Sequence, residues 1–235
     1  MTPSAIRTTK HPGQHSSRNS SWTRPVLYIL CFIAAAAALR RIVALLIVSA
    51  SSRAGQYADL DTAFAARKGL TLAHIIPALI FVLLLPLWFS VKVRLNDQLH
   101  RRITWLLFAL GTIVGVTAIP MVANPVGGAT ELSAIIVFDG IFLFSFARAF
   151  TLFLKHEPHY REWMLRAIAV LLGIATTRPI MGIFFATARL THLEPHQFFG
   201  IAFWIGFGVT YLAGEWYLRH HPDVAALSPY SGAPR

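Results

Sequence analysis

Six long apolar blocks joined by short polar connections make up most of this chain, and few folds can accommodate them. They run from about Pro25 to Ala50, Leu70 to Val91, Ile103 to Val122, Leu132 to Leu154, Trp163 to Thr187 and Phe198 to Leu218, and the fifth helix is expected to start earlier, at Pro158. A helix crosses the hydrocarbon core of a bilayer with about 20 predominantly apolar residues. The apolar residues are continuous within each block and do not alternate with polar ones. That favours helices over barrel strands, the only two structures that satisfy the backbone in lipid. The expected fold is therefore all-α, a polytopic transmembrane helix bundle of six spans. Only 13% of the 235 residues are charged, about half the share of a soluble domain, so no soluble domain is expected beside the bundle. The expected organisation is a disordered cytoplasmic tail over residues 1–24, the six-helix domain over 25–219 and a short flexible tail over 220–235. The first block is too long, and lacks a small-residue cleavage site, to read as a signal peptide.

The formal net charge is +11. No basic soluble module carries it, so the lipid bilayer and not nucleic acid is the expected partner. Its distribution sets topology, because Lys and Arg gather in cytoplasmic loops. Arg7, Lys10, Arg18 and Arg24 precede the first span, Lys92, Arg94, Arg101 and Arg102 join the second to the third, and Lys155, Arg161 and Arg166 lie around the fourth-to-fifth connection. Six spans put these three groups on one side. The third-to-fourth connection has no basic residue and the fifth-to-sixth has only Arg189, while Arg53, Arg67 and Lys68 fit least well. Both termini are expected in the cytoplasm. Trp88, Trp105, Trp163 and Trp216 fall near span ends, as interfacial aromatics do. The single cysteine, Cys31, cannot form an intramolecular disulfide. Pro77, Pro86 and Pro179 lie inside spans, where they kink a helix or mark tight packing. The pairs Gly111 with Gly115 and Gly206 with Gly208 read as close packing of helices.

Rare polar residues inside the blocks are the candidates for chemistry. His74 and His196 lie near one membrane face, His100 and His159 near the other, and four different helices supply them. All four sit at helix N-termini, where the dipole disfavours protonation and keeps imidazole able to ligate a metal. Two pairs at matched depth could each hold a b-type haem and form an electron path across the bilayer. Asp139 and Arg178 lie at similar depth on the fourth and fifth helices, so a buried ion pair is expected, and Arg178 could also hold a haem propionate or an anionic ligand group. Glu215 has Arg166 and Arg219 as candidate partners, and Arg148 can snorkel. Arg40 and Arg41 leave two readings open: the first span ends near them, or they face a polar interior.

The run His159-Tyr160-Arg161-Glu162-Trp163-Met164-Leu165-Arg166, with Thr177-Arg178 further on, resembles an uncharacterised family of bacterial multi-pass inner-membrane proteins. His74 before its span, Leu99-His100-Arg101 and Gly214-Glu215-Trp216 also fit that pattern, over roughly Leu70 to Leu218; Tyr160 and Pro77 depart from it. The resemblance implies a bacterial inner-membrane location and no activity. The two histidine pairs are also similar in layout, though not in sequence, to ascorbate-reducible cytochrome b proteins. Several functions follow as expectations: electron transfer through haem held by His74, His196, His100 and His159 with a redox partner; a small-molecule carrier or sensor whose polar cavity is lined by Arg178 and Asp139; a non-enzymatic subunit of a membrane complex; or a zinc-dependent lipid hydrolase with His74, His192 and His196 as ligands.

Overall fold

The computed structural model describes residues 23–46, 67–121, 123 and 125–222. The two tails beyond these limits lie outside the described residues, as does most of the first connection, with Arg53, Asp59 and Asp61. The helices are α1 (Thr23–Leu46), α2 (Lys68–Phe89), α3 (Val91–Arg94), α4 (Asp97–Met121), α5 (Gly128–Leu154), α6 (Tyr160–Thr191) and α7 (Pro195–His220). All except the single turn of α3 are long and apolar enough to cross a membrane, so the chain is an all-α membrane protein of six spans. The face at which α1 begins is called proximal below, and the opposite face distal.

Local chemistry sets the ends of these helices. Ser90 adopts an extended conformation after α2, and its N–H bonds the Leu87 carbonyl at 3.0 Å, which breaks the apolar block before α3. His192 closes α6 in the left-handed region at φ 53°, its N–H on the Ala188 carbonyl at 2.8 Å. Glu194 and Gln197 then form a reciprocal capping box around Pro195, which starts α7 at once and turns the chain back. At the other end of α6 the helix begins at Tyr160, two residues after the expected Pro158. Pro77, Pro86 and Pro179 all sit within continuous helices.

The long helix α6 occupies the centre and packs against α1, α5 and α7, while α2 bridges α1 and α4. Glycines allow the closest approaches. A Cβ placed on Gly206 of α7 would lie 2.7 Å from the Thr177 backbone nitrogen of α6, and one on Gly214 would lie 2.6 Å from the Ala169 Cβ. Gly111 and Gly115 of α4 receive the Phe146 and Leu143 side chains of α5. Gly208, by contrast, has only Phe138 within 4 Å, at 3.9 Å.

The two halves of the bundle are filled differently. The proximal half is solid: Phe81, Leu85, Leu107, Phe108, Phe146, Ala149, Phe153 and Met164 are all buried. Phe108 anchors this half with edge contacts to Phe146 and Phe150 at 5.2 and 5.1 Å between ring centroids, spacings at which aromatic pairs attract beyond their area burial. The distal half encloses a cavity. The described residues are thus packed solid toward the proximal face and hollow toward the distal one.

Candidate functional site

The cavity has a volume of about 460 Å³ and all six spans contribute to its wall, a size within the usual range for a small-molecule site. Its lining follows helical spacing. Ala34, Ala37, Ala38 and Arg41 of α1 face it, as do Ile174 and Arg178 of α6, Phe199, Phe203 and Phe207 of α7, and Glu131, Ile135, Phe138, Asp139 and Phe142 of α5. Steps of three and four residues put these side chains on one face of each helix. The apolar walls therefore carry charged groups of both signs at membrane depth.

Three contacts build the distal rim. Arg67 Nη1 donates to the Pro120 carbonyl at 3.1 Å and ties α2 to the end of α4. Glu131 is buried in the first turn of α5, where the helix dipole favours a carboxylate, and accepts the Gly127 N–H at 2.7 Å. A Cβ on Gly127 would lie 2.7 Å from the Gly200 nitrogen, so α7 meets the start of α5 backbone to backbone. Just below the rim, His74 Nδ1 lies 3.1 Å from the Val114 carbonyl and 3.0 Å from Thr117 Oγ1. The carbonyl can only accept, so the proton is on Nδ1.

Arg40 and Arg41 lie within one continuous helix and face different surroundings. Helix α1 continues through both to Leu46; Arg41 is buried on the cavity wall and Arg40 is exposed. Asp139 and Arg178 also share the wall; the expected ion pair between them is not among the salt bridges of the described residues, and Arg178 is not without a partner. Because α5 starts at Gly128 and the spanning part of α6 reaches Ala188, each lies about 15 Å from the distal helix end at 1.5 Å per residue, deeper than the apolar blocks alone suggest. Glu215 pairs with Arg166, Nε to Oε1 at 2.6 Å, and Arg166 also sits 4.6 Å from the Trp163 ring centroid, which Arg148 approaches at 5.7 Å.

The four histidines do not form facing pairs. His100 is buried, stacks on Trp88 with ring centroids 5.7 Å apart, and its Nε2 lies 3.0 Å from the Tyr160 hydroxyl. Its Nδ1 is buried without a hydrogen-bond partner. Trp88 Nε1 donates to Thr104 Oγ1 at 3.1 Å, Thr104 donates to the His100 carbonyl at 2.8 Å, and the Arg161 guanidinium lies over the Trp88 ring at 5.1 Å. Trp88 is thus a fully buried member of this proximal plug and not an interfacial ring. His159 is 62% exposed and bonded to Glu162 at 2.9 Å, and His196 is 62% exposed beside Glu194 at 3.3 Å. A haem needs two imidazoles that each offer a nitrogen to one iron. With His100 Nε2 engaged by Tyr160 and both His159 and His196 turned to the surface, these residues do not fit that group. Among the described residues no group of three or more His, Cys, Asp or Glu side chains is placed to hold a metal ion, so His74, His192 and His196 do not converge.

Sequence reasoning missed Glu131, Tyr160 and the interior place of Trp88. The lining stripe on α5, with Glu131 and Asp139 two turns apart, was the signal for the first. Nothing in the spacing marks Tyr160 as the partner of His100, since 60 residues separate them. Comparison with known proteins finds no family model, no curated protein and no solved structure that matches the chain.

Proposed function

We propose that this protein is a membrane carrier or sensor that binds a small molecule inside the bundle, in the cavity of the distal half. One observation carries the reading: a cavity walled by all six spans places Arg41, Asp139 and Arg178 among apolar side chains, with Glu131 at its rim. Charged groups in such a place are costly and mark ligand or ion paths. The solid proximal half makes the bundle asymmetric, with the charged wall toward the distal face. By the distribution of Lys and Arg the proximal face is cytoplasmic, so the cavity faces the extracytoplasmic side, which in a bacterial inner membrane is the periplasm. Haem-mediated electron transfer has less support, because the expected ligand pairs are dispersed.

The test is thermal unfolding of the detergent-purified protein against a mixed panel of small amines, carboxylates, zwitterions and neutral apolar molecules, repeated on Ala38→Trp and Ala118→Trp variants that fill the cavity. A ligand that binds only the folded state adds about 2.7 kcal/mol of stability at a hundred times its Kd. At least one class is expected to raise the midpoint of the wild-type protein and to lose the effect in both filled variants. An effect that survives filling, or no effect from any class, contradicts the reading.

A further inference from the structure

An open groove runs along the outside of the bundle, from its middle toward the proximal face, where α5, α6 and α7 meet. Gly140 and Phe144 of α5, Trp163 and Arg166 of α6, and Tyr211 and Glu215 of α7 line it. Gly140, Phe144 and Arg148 follow one another at four-residue steps and so share one face of α5. A Cβ on Gly140 would meet nothing within 4 Å, and Phe144 is exposed with its ring edge-on to Trp163 at 5.6 Å. The deep part of the groove is therefore open and apolar, and its shallow part is cationic. Arg166 and Arg148 approach the Trp163 ring centroid at 4.6 and 5.7 Å. Arg166 is balanced by Glu215. Arg148 is exposed, and beyond the Trp163 ring its guanidinium has no partner among the described residues. Lys155, also exposed, continues the same face to the end of α5.

Depth decides what such a groove fits. Arg148 precedes the end of α5 at Leu154 by six residues, about 9 Å at 1.5 Å per residue. With 27 residues, α5 is about 40 Å long against about 30 Å of hydrocarbon. The Arg148 guanidinium thus stands near the hydrocarbon boundary and reaches headgroup level by snorkelling, while the Trp163 face holds it over the groove. Gly140 lies about 12 Å deeper along the same face, among acyl chains. A cation at headgroup level above an open apolar channel has the outline of a phospholipid, and basic pockets between spans take anionic headgroups. We propose that this groove holds one anionic glycerophospholipid of the proximal leaflet, its phosphate on Arg148 and one acyl chain laid over Phe144 and Gly140. The site is separate from the distal cavity and does not depend on what that cavity binds.

Native mass spectrometry of the full-length protein released from detergent micelles tests it, with phosphatidylglycerol and phosphatidylcholine of identical acyl chains and inorganic phosphate as probes. One phosphatidylglycerol is expected to bind about tenfold more tightly than phosphatidylcholine. Arg148→Gln should remove that preference and Arg148→Lys should keep it. Gly140→Leu, which extends into open space and favours the helix, should weaken both lipids alike. Arg102→Gln, an exposed cation at the same face on α4, should leave the preference unchanged. Equal binding of the two lipids to the wild-type protein overturns the proposal without recourse to any variant. So does a preference that survives Arg148→Gln, or one that falls as far with Arg102→Gln and so reflects the general charge of the face. Inorganic phosphate that binds as tightly as phosphatidylglycerol shows an anion site with no need of an acyl chain. A dimer that is lost in Gly140→Leu, with no lipid preference, puts a second copy of this chain in the groove. Either result overturns the lipid assignment.

Discussion

At the residue scale, the proximal end is sealed by side chains whose partners come from distant parts of the sequence. His100 would leave two polar nitrogens in the core; the Tyr160 hydroxyl engages one and the Trp88 ring covers the face. A buried hydrogen bond contributes about 1 kcal/mol net, while deleting a large buried side chain costs about 2–5 kcal/mol. Tyr160→Phe should therefore lower stability by about 1 kcal/mol, and His100→Ala by more, with the loss read as a fall in the unfolding midpoint in detergent. His159→Ala, at a site 62% exposed, should leave the midpoint within the range of a surface change, about 0.5 kcal/mol. Equal losses at His100 and His159 would show that the two histidines act as a pair, contrary to their positions here. Sequence made His100 and His159 equivalent, since each opens a helix near the same face. Burial separates them, and burial depends on tertiary contacts that helical spacing does not encode.

The helices were legible from the sequence almost in full. Continuous apolar stretches of the right length dictate spans, and α2, α5 and α7 end within a few residues of their expected limits. Their N-terminal ends were read late, because polar residues such as Asp97 and Glu131 belong to first helical turns that hydropathy does not register. Packing was legible only in part. Gly206 and Gly208 look alike in the sequence, but only Gly206 faces the backbone of α6. Substituting Gly206 with Val should separate α6 from α7 and sharply reduce the yield of folded protein, whereas Gly208→Ala should be close to neutral, as judged by size-exclusion profile and unfolding midpoint. Equal tolerance at both positions would mean that α6 and α7 do not pack as closely as described.

At the scale of the whole molecule, the described residues form a bundle with an aromatic base near the basic face and a charged hollow toward the other. The sequence pointed to Asp139 and Arg178 as rare intramembrane charges at one depth. It did not indicate the cavity, because a void is a property of how six helices fail to meet, and no single helix records that. Arg41 shows the difference well: its position midway through an apolar block allowed two readings, and only the packing of α1 against the others puts it on the interior wall.

The most direct measurement is labelling by a membrane-impermeant thiol reagent, applied separately from each side of oriented membranes to single-cysteine variants in a Cys31→Ala background. Cysteines at Ala38, Ala118 and Ile174 line the cavity, whereas one at Leu83 lies on the lipid-facing surface. Reaction at the first three positions from the distal side only, with none at Leu83, is the expected pattern. Reaction from the proximal side, or cavity positions as inert as Leu83, would contradict it.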